Sequence, residues 1–599
     1  MATIPDWRHA HNGSEIPTES YSDQPYIVQT ADGAWVCVVT TGPGHEGAKG
    51  QHVVSMRSTD LGKTWAAAVD VEPLDGPEAS YAVLLKAPGG RLFVFYNHNT
   101  DRVSEVKRED AGVYTRVDSL GHFVFKISDD HGRSWSALRY DIPMRKFACD
   151  LSNTYGGELC FFWNVGKPFV LEGAAFVSLH KVGAMGAGFF AQSEGVLLKS
   201  ANLLTERDPA RITWETLPLG DVGLRTPPGG GRVAEEQSYA VLSDGSIYCV
   251  YRSIDGHPVE AYSRDGAHTW TTPRYKRYAD GRLMKHPRAA NFAWRCRNGK
   301  YLYWFHNHGG SFLRGMPEWG PYEDRNPIWL SAGEEVDTPQ GREIRWSQPE
   351  VVIYDDDTYV RMSYPDLVEA AGKLFLTETN KDMARVHELE PRFLHHLFGQ
   401  FEAKEVATDG LLLNLPGAAG GALPAAVPRP KLPELLARDT TRLDYGTKDN
   451  RAGFTLELRL RCRSLVAGQI LLDSRDERGQ GIVVQTSARR TLELVLNDGR
   501  TENRWDCDPG ALSTKREHHV VIVVDGGPKL ISFVVDGQFN DGGDQRQFGW
   551  GRFSPNLRTP PGARELRLAP AFRGELKTLR VYGRALLTSE AIGNCRSLA

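Results

Sequence analysis

The sequence predicts an all-β protein: a six-bladed β-propeller followed by a β-sandwich jelly roll. Three observations predict it. A short box, S-x-D-x-G-x-[ST]-W, occurs at Ser58–Trp65 and Ser128–Trp135, and again at Ser263–Trp270 with Ala267 in the glycine slot. Six segments share one layout, in which a polar lead, a strand, a glycine-containing turn and a second strand end in a polar exit. Beyond about residue 435, strands resume in a different texture.

The six segments are taken in order. They are "DQPYIVQTADGAWVCVVTTG" from Asp23, "EASYAVLLKAPGGRLFVFYNHN" from Glu78, "KPFVLEGAAFVSLHK" from Lys167, "EEQSYAVLSDGSIYCVYRS" from Glu235, "HPRAANFAWRCRNGKYLYWFHNH" from His286 and "SYPDLVEAAGKLFLTETNK" from Ser363. Their turns carry Asp-Gly, Gly-Gly, Glu-Gly, Asn-Gly or Ala-Gly, which is hairpin chemistry. Apolar and aromatic residues fill the flanking strands. The box follows the hairpin in most units and joins a third strand to a fourth. Degenerate copies stand at Trp214 and Trp346. A motif used this often is a structural device rather than a unique site. Its Asp and Ser satisfy the backbone of a tight turn, its Gly takes a conformation other residues avoid, and its Trp packs on the blade. Four-stranded units repeated in this way read as a propeller.

At 599 residues the chain exceeds one ordinary domain. The expected division is a catalytic propeller over 1–400, an Ala/Pro/Gly-rich linker over 401–434 and a sandwich over 435–599. The net charge of −4 gives no general attraction to nucleic acid or to an anionic membrane. No apolar run approaches the ~20 residues that span a bilayer. The start, "MATIPDWRHAHNGSE", has neither a basic nor an apolar signal region. The reading is therefore cytoplasmic as written, or secreted or periplasmic if a signal was removed. The eight cysteines form no C-x-x-C pair, and Cys37 and Cys249 lie in apolar runs, so they read as reduced, buried thiols.

The box resembles the Asp box of sialidases and related Asp-box (BNR) propellers, and the resemblance covers about residues 1–395. In such a propeller the two innermost strands of each blade bring their polar ends together near the axis. The leading ends offer Asp23, Gln24, Glu78, Ser80, Lys167, Glu235, Glu236, Gln237, His286, Arg288 and Tyr364. The exits offer Thr40, Thr41, Asn97, His98, Asn99, His180, Lys181, Arg252, His306, Asn307, His308, Glu378, Asn380 and Lys381. The resemblance implies Tyr364 as nucleophile, Glu236 as the group that takes its proton, and Arg252 and Arg288 as holders of a sugar carboxylate. A Tyr needs such help, since its ordinary pKa is near 10. The family's first arginine has no counterpart: "SDQPYIV" keeps Pro25 but puts Asp23 at the Arg position, which leaves the arginine triad incomplete. The family's acid/base loop corresponds to "TTGPGHEGAKGQH", which offers His45, Glu46 and His52.

The leading expectation is a sialidase-like, exo-acting glycoside hydrolase with Glu46 or His45 as general acid. Two alternatives stand beside it. A polysaccharide lyase would neutralise a uronate with Arg288, Arg252 or Asn307 and abstract a proton with Tyr364 or a His. A carbohydrate-binding propeller without catalysis would explain the missing arginine. No H-x-x-H or H-E-x-x-H spacing supports a metal held by the histidines. A carbohydrate partner is expected, and homo-oligomerisation is left open.

The last third begins with a short helix in "HELEPRFLHHLFGQFE". Its later strands, above all "HHVVIVVDGGPKLISFVVDG" and "GELKTLRVYGRALLTSEAIG", resemble the laminin-G/concanavalin-like jelly roll. That resemblance implies glycan binding or packing. No cofactor is assigned. The acidic loops Asn540–Gln545 and Asp473–Gly479 are candidate structural calcium sites.

Overall fold

The computed structural model describes residues 6–116, 118–186, 190–317, 320–416, 423–440 and 446–597. The chain divides into two compact units. One comprises 10–346 and 357–391, the other 1–9, 347–356 and 392–599.

Among the described residues, the first unit contains six antiparallel sheets of four or five strands, each built on one of the six hairpins read from the sequence. The first sheet runs Tyr21–Gln29, Trp35–Gly42, His52–Ser58 and Val69–Asp70. The last combines Leu367–Ala370, Lys373–Thr379 and Ala384–Glu388 with Ser14–Ile16 from the other end of the chain. There Ser14 pairs with Val386 and Ile16 with Ala384, so the two ends of the unit are joined by a ladder of backbone hydrogen bonds.

The boxes fold alike. Ser58 Oγ, Ser128 Oγ and Ser263 Oγ each accept the amide of the glycine-slot residue, at 2.9, 2.8 and 2.9 Å. Asp60, Asp130 and Asp265 each accept the amide and the hydroxyl of the residue before the Trp. These bonds hold the Asp60 and Asp130 carboxyls down at about 2, although burial opposes them at Asp130. The slot residues Gly62, Gly132 and Ala267 all have φ between +72° and +79°. Each turn also packs on the preceding sheet. Trp135 Nε1 donates to Ser55 Oγ at 2.8 Å, and a Cβ on Gly132 would meet Val36 Cγ2 at 2.8 Å. Gly132→Ala therefore combines left-handed strain with a clash. It is expected to destabilise the unit by about 2–3 kcal/mol, read as a lowered unfolding midpoint. An unchanged midpoint would remove the close packing from the account.

The second unit is a two-sheet sandwich. One sheet contains Phe454–Cys462 between Glu517–Asp525 and Gly574–Tyr582; the other orders Ala426–Pro428, Glu565–Ala571, Ile470–Asp473, Gly481–Thr486, Leu492–Asn497 and Glu502–Asp506. Alternation sorts the side chains: Leu456, Leu458 and Leu460 enter the core with Val484, Leu494 and Leu496, each worth roughly 1.5–3 kcal/mol of burial. The expected boundaries shift. Residues 347–356 and the described residues 6–9 group with the sandwich, and His9 bridges Tyr354 in parallel. Leu411–Leu415 and Ala426–Pro428, inside the stretch read as linker, are sandwich strands, because their backbones complete the sheets. Residues 417–422 of that stretch lie outside the described residues. The short helix is Pro391–Phe398.

The Glu350 carboxylate accepts the Thr588 and Ser589 amides at 2.9 and 2.7 Å and the Ser589 hydroxyl at 2.7 Å, capping the helix Thr588–Ser597. Burial outweighs these bonds and pushes its pKa up to about 7. A folded value above the unfolded one contributes stability that is full below the unfolded pKa and is lost as pH rises through about 7. Sandwich stability is therefore expected to fall between pH 5 and 8, by something on the order of 3 kcal/mol from this group. Glu350→Gln should flatten that slope in pH-dependent melting curves.

The two loops considered for calcium are turns. Asp541 accepts the Gly543 amide, and Asn540 accepts the Asp508 amide. Asp473 pairs with Arg475 and Arg567, and Asp476 accepts the Arg478 and Gln480 amides. Among the described residues, no group of three or more His, Cys, Asp or Glu gathers to hold a metal, and no helix is long and apolar enough to cross a membrane.

Candidate functional site

Three inner strands carry the same bulge. Between Asp23 and Tyr26, Ser80 and Val83, and Glu235 and Ser238, two residues oppose one on the partner strand. Gln24, Tyr81 and Glu236 follow the first residue of each bulge and are left-handed, with φ of +52°, +59° and +59°. Tyr364, at φ +48°, holds the corresponding place in the last sheet, where Ser363 bridges Thr379 and Leu367 pairs with Leu376. Left-handed backbone at a non-glycine residue costs about 1 kcal/mol or more and re-aims the side chain. Tyr81, Glu236 and Tyr364 all line one cavity of about 290 Å³.

At its wall, Tyr364 OH donates to Glu236 Oε1 at 2.9 Å. Glu236 Oε2 faces Arg252 Nη1 at 2.9 Å. Behind them Glu235 receives Arg252 Nε at 2.8 Å and Arg288 Nη2 at 2.6 Å. The adjacent carboxylates are pushed apart. Burial raises Glu236 above the ordinary carboxylate value against Arg252, whereas Arg288 and Arg252 overcome burial at Glu235 and hold it at about 2. Burial, together with Glu236, pushes the Tyr364 phenol well above its usual value. Glu235 is thus a fixed anion that orients two guanidinium groups, and Glu236 is an acceptor poised for a proton.

Arg325 also lines the cavity and is 6% exposed. It donates to Ser363 Oγ at 2.7 Å and to the carbonyls of Arg288 and Tyr322 at 3.2 and 3.1 Å. Among the described residues no carboxylate reaches ion-pairing distance of it, and burial depresses its pKa. The other cavity cations Arg116, Arg252, Arg361 and Lys381 each pair with a carboxylate. Lys381 Nζ lies 2.8 Å from Asp23 Oδ2, 3.3 Å from Glu46 Oε1 and 4.1 Å from the centre of the Tyr364 ring. Tyr81, Trp163, Phe190 and Tyr322 supply an aromatic wall.

Residues 79–376 match the family model of the BNR repeat-like domain, and 438–592 that of the concanavalin A-like lectin/glucanases superfamily. The chain carries a BNR-repeat propeller and a concanavalin A-like domain. Among solved structures it is similar to Trypanosoma rangeli sialidase, at 14% identity and a TM-score of 0.41, covering 97% of this chain and 94% of that one. It is also similar to the intramolecular trans-sialidase from Ruminococcus gnavus, at 13% identity and a TM-score of 0.43, covering 63% and 96%. No curated protein matches.

In the BNR-repeat propeller, Tyr364, Glu236, Arg252, Lys381 and Glu46, all named from the sequence, line the same cavity. The remaining candidates lie elsewhere. His45 is exposed on its loop and does not line the cavity. Glu46 reaches the cavity, but Lys381 and Arg116 overcome burial and hold it well below the usual carboxylate range. Asp23 is fully buried beneath Lys381 and Tyr21 OH, so it presents no charge to a ligand. Burial raises its pKa. Gln24 donates to the Asn164 carbonyl, and Asn380 accepts the Asp382 and Met383 amides of a turn. Arg288 and Glu235 pair behind the wall rather than on it.

The histidines are also off the wall. His98 bonds Thr100 Oγ1, His180 packs 3.6 Å from the Trp163 ring, and His286 bonds the Ala289 carbonyl. His306 stacks on His286, and His308 bonds the Asp324 carbonyl. Burial keeps them neutral, with His98 at about 4, His286 and His308 at about 3, and His180 and His306 well below the usual value. His98 and His180 lie on strands and His286, His306 and His308 just outside them, and all five are packed between elements rather than turned into the cavity. Sequence reasoning missed Arg325, Arg116, Tyr81, Trp163, Phe190 and Tyr322. Arg116 and Arg325 sit on the long loops after Leu92–His98 and Tyr301–Phe305, so loop length at the exits was the readable signal. The shared string "SYAV" aligns Tyr81 with Tyr239, whereas the bulges align it with Glu236.

Proposed function

We propose that the propeller is a retaining, exo-acting glycoside hydrolase for an acidic sugar. The observation that carries this reading is Tyr364 hydrogen-bonded to Glu236 in a cavity whose Arg325 has no carboxylate partner among the described residues. The substrate carboxylate meets Arg325, with Arg252 beside it, as a charge-assisted pair. The Tyr364 oxygen attacks the anomeric carbon, its proton passes to Glu236, and the glycosidic oxygen leaves. Water then cleaves the glycosyl-tyrosine bond with retention. A neutral phenol suits an anomeric centre next to a carboxylate, which would repel an anionic nucleophile.

Glu46 is ionised in the free protein, a state that suits activation of the water and makes it a weak donor to the leaving oxygen. Turnover should therefore depend steeply on leaving-group acidity, with aryl glycosides favoured. Because Glu236 must accept a proton, activity should fall as pH falls through its raised pKa, above the range of an ordinary carboxylate. Glu236→Gln should lose that limb together with most of the rate. The direct test offers 4-methylumbelliferyl sialoside and glucuronide, with product configuration read by NMR. An inverted product refutes the Tyr364 mechanism. Binding without release from any acidic glycoside would favour the carbohydrate-binding propeller, for which Asp23 in place of an anchoring arginine is the specific support.

A further inference from the structure

In the sandwich sheet that contains Phe454–Cys462, alternation sends Leu456, Leu458 and Leu460 into the core and Glu457 to the other face. There Glu457 stands opposite Arg580 and diagonal to His519, and is 1% exposed. One of its oxygens accepts His519 Nε2 at 3.0 Å and Arg580 Nη1 at 2.5 Å; the other accepts Tyr582 OH at 3.0 Å and Asn594 Nδ2 at 2.7 Å. Asn594 reaches in from the helix Thr588–Ser597, and the next residue of that helix is Cys595. Six of the eight cysteines are buried, whereas Cys595 and Cys160 are half-buried. A Cβ on Gly537 would meet Cys595 Sγ at 3.8 Å. The residue before it, Asp536, accepts the His519 amide at 2.9 Å and donates its own amide to the His519 carbonyl at 2.8 Å. The thiol is thus brought beside the His519 imidazole. That ring is 6% exposed, and its Nδ1 has no hydrogen-bond partner among the described residues. Against burial, Cys595 and Glu457 push the imidazole up to about 9, so it carries a proton at neutral pH. Arg580 already matches the Glu457 charge, and the second cation, His519, is matched when the thiol gives up its proton.

We propose that Cys595 is a modification site, a thiol whose proton passes to His519 and which forms mixed disulfides with low-molecular-weight disulfides. Cys595 Sγ attacks one sulfur of the disulfide, the old S–S bond breaks as the new one forms, and the departing thiolate takes the proton from His519. Glu457 is a positioning residue: it holds Nε2 and leaves Nδ1 for the thiol. The site lies in the sandwich unit and requires nothing of the propeller cavity. Cys160 supplies an internal comparison, since burial together with Asp150 pushes its pKa up. The test incubates the reduced full-length protein with oxidised glutathione between about pH 6.5 and 8 and locates the adducts by peptide mass mapping. Cys595 should react at least about tenfold faster than Cys160 at neutral pH, with a rate that changes less than about twofold over that range, whereas an unassisted thiol gains about tenfold per pH unit. His519→Gln, which can keep the bond to Glu457, should slow Cys595 at least about tenfold at the low end and restore the ordinary rise with pH. The parent's two rates and pH profile decide the matter even where the variant fails to fold. The proposal is overturned if Cys595 and Cys160 react equally fast, if the Cys595 rate climbs with pH as that of Cys160 does, or if folded His519→Gln reacts as the parent does.

Discussion

Tyr364→Phe is expected to lower turnover of an acidic aryl glycoside by at least about 10³-fold, with the fold intact. The change removes one oxygen from a buried wall. It leaves Glu236 Oε1 without its donor, a loss of about 1–3 kcal/mol if nothing compensates. Compensation is at hand, because a carboxyl already raised by burial can take a proton and become neutral. The melting temperature should therefore move little while the rate collapses. Substrate binding should persist in calorimetry, since the cations that hold the sugar are untouched. Retained turnover in Tyr364→Phe would remove the nucleophile and with it the proposed mechanism.

Arg325→Met is expected to raise KM and to lower kcat/KM by about 10²–10³-fold for acidic glycosides. It should also hold or raise the thermal stability. The second half of this prediction follows from burial. A guanidinium 6% exposed with no carboxylate partner among the described residues carries a desolvation penalty of several kcal/mol that its three hydrogen bonds only partly offset. Such a group persists where a ligand completes its pairing, and replacing it exchanges function for stability. Arg325→Lys should recover part of the affinity, without the fork geometry that grips a carboxylate. A melting temperature that drops by many degrees would mean that Arg325 is structural, and the acidic-sugar reading would lose its anchor.

The repeated hairpins and boxes were legible in the sequence because they are local. A turn glycine, a Ser and Asp two residues apart and an alternating strand specify their own geometry within a few residues. The Tyr364–Glu236–Arg252 grouping was legible through resemblance and through position at strand ends. The histidines were misleading for a physical reason. A polar residue at a strand end can face the axis or turn between sheets, and composition does not say which. In this chain His180, His286 and His306 turn inward and lie buried and neutral.

What the sequence determined by itself was therefore the set of strands, their pairing into hairpins and the change of texture into a second unit. What only the tertiary structure decided was which side chains share a cavity. One extra residue per inner strand flips the facing of everything near it, so Tyr81 rather than Ser80, and Glu236 rather than Glu235, reaches the wall. Arg325 arrives from a loop whose path no local pattern encodes, and its lack of a carboxylate partner among the described residues is set by what packs around it.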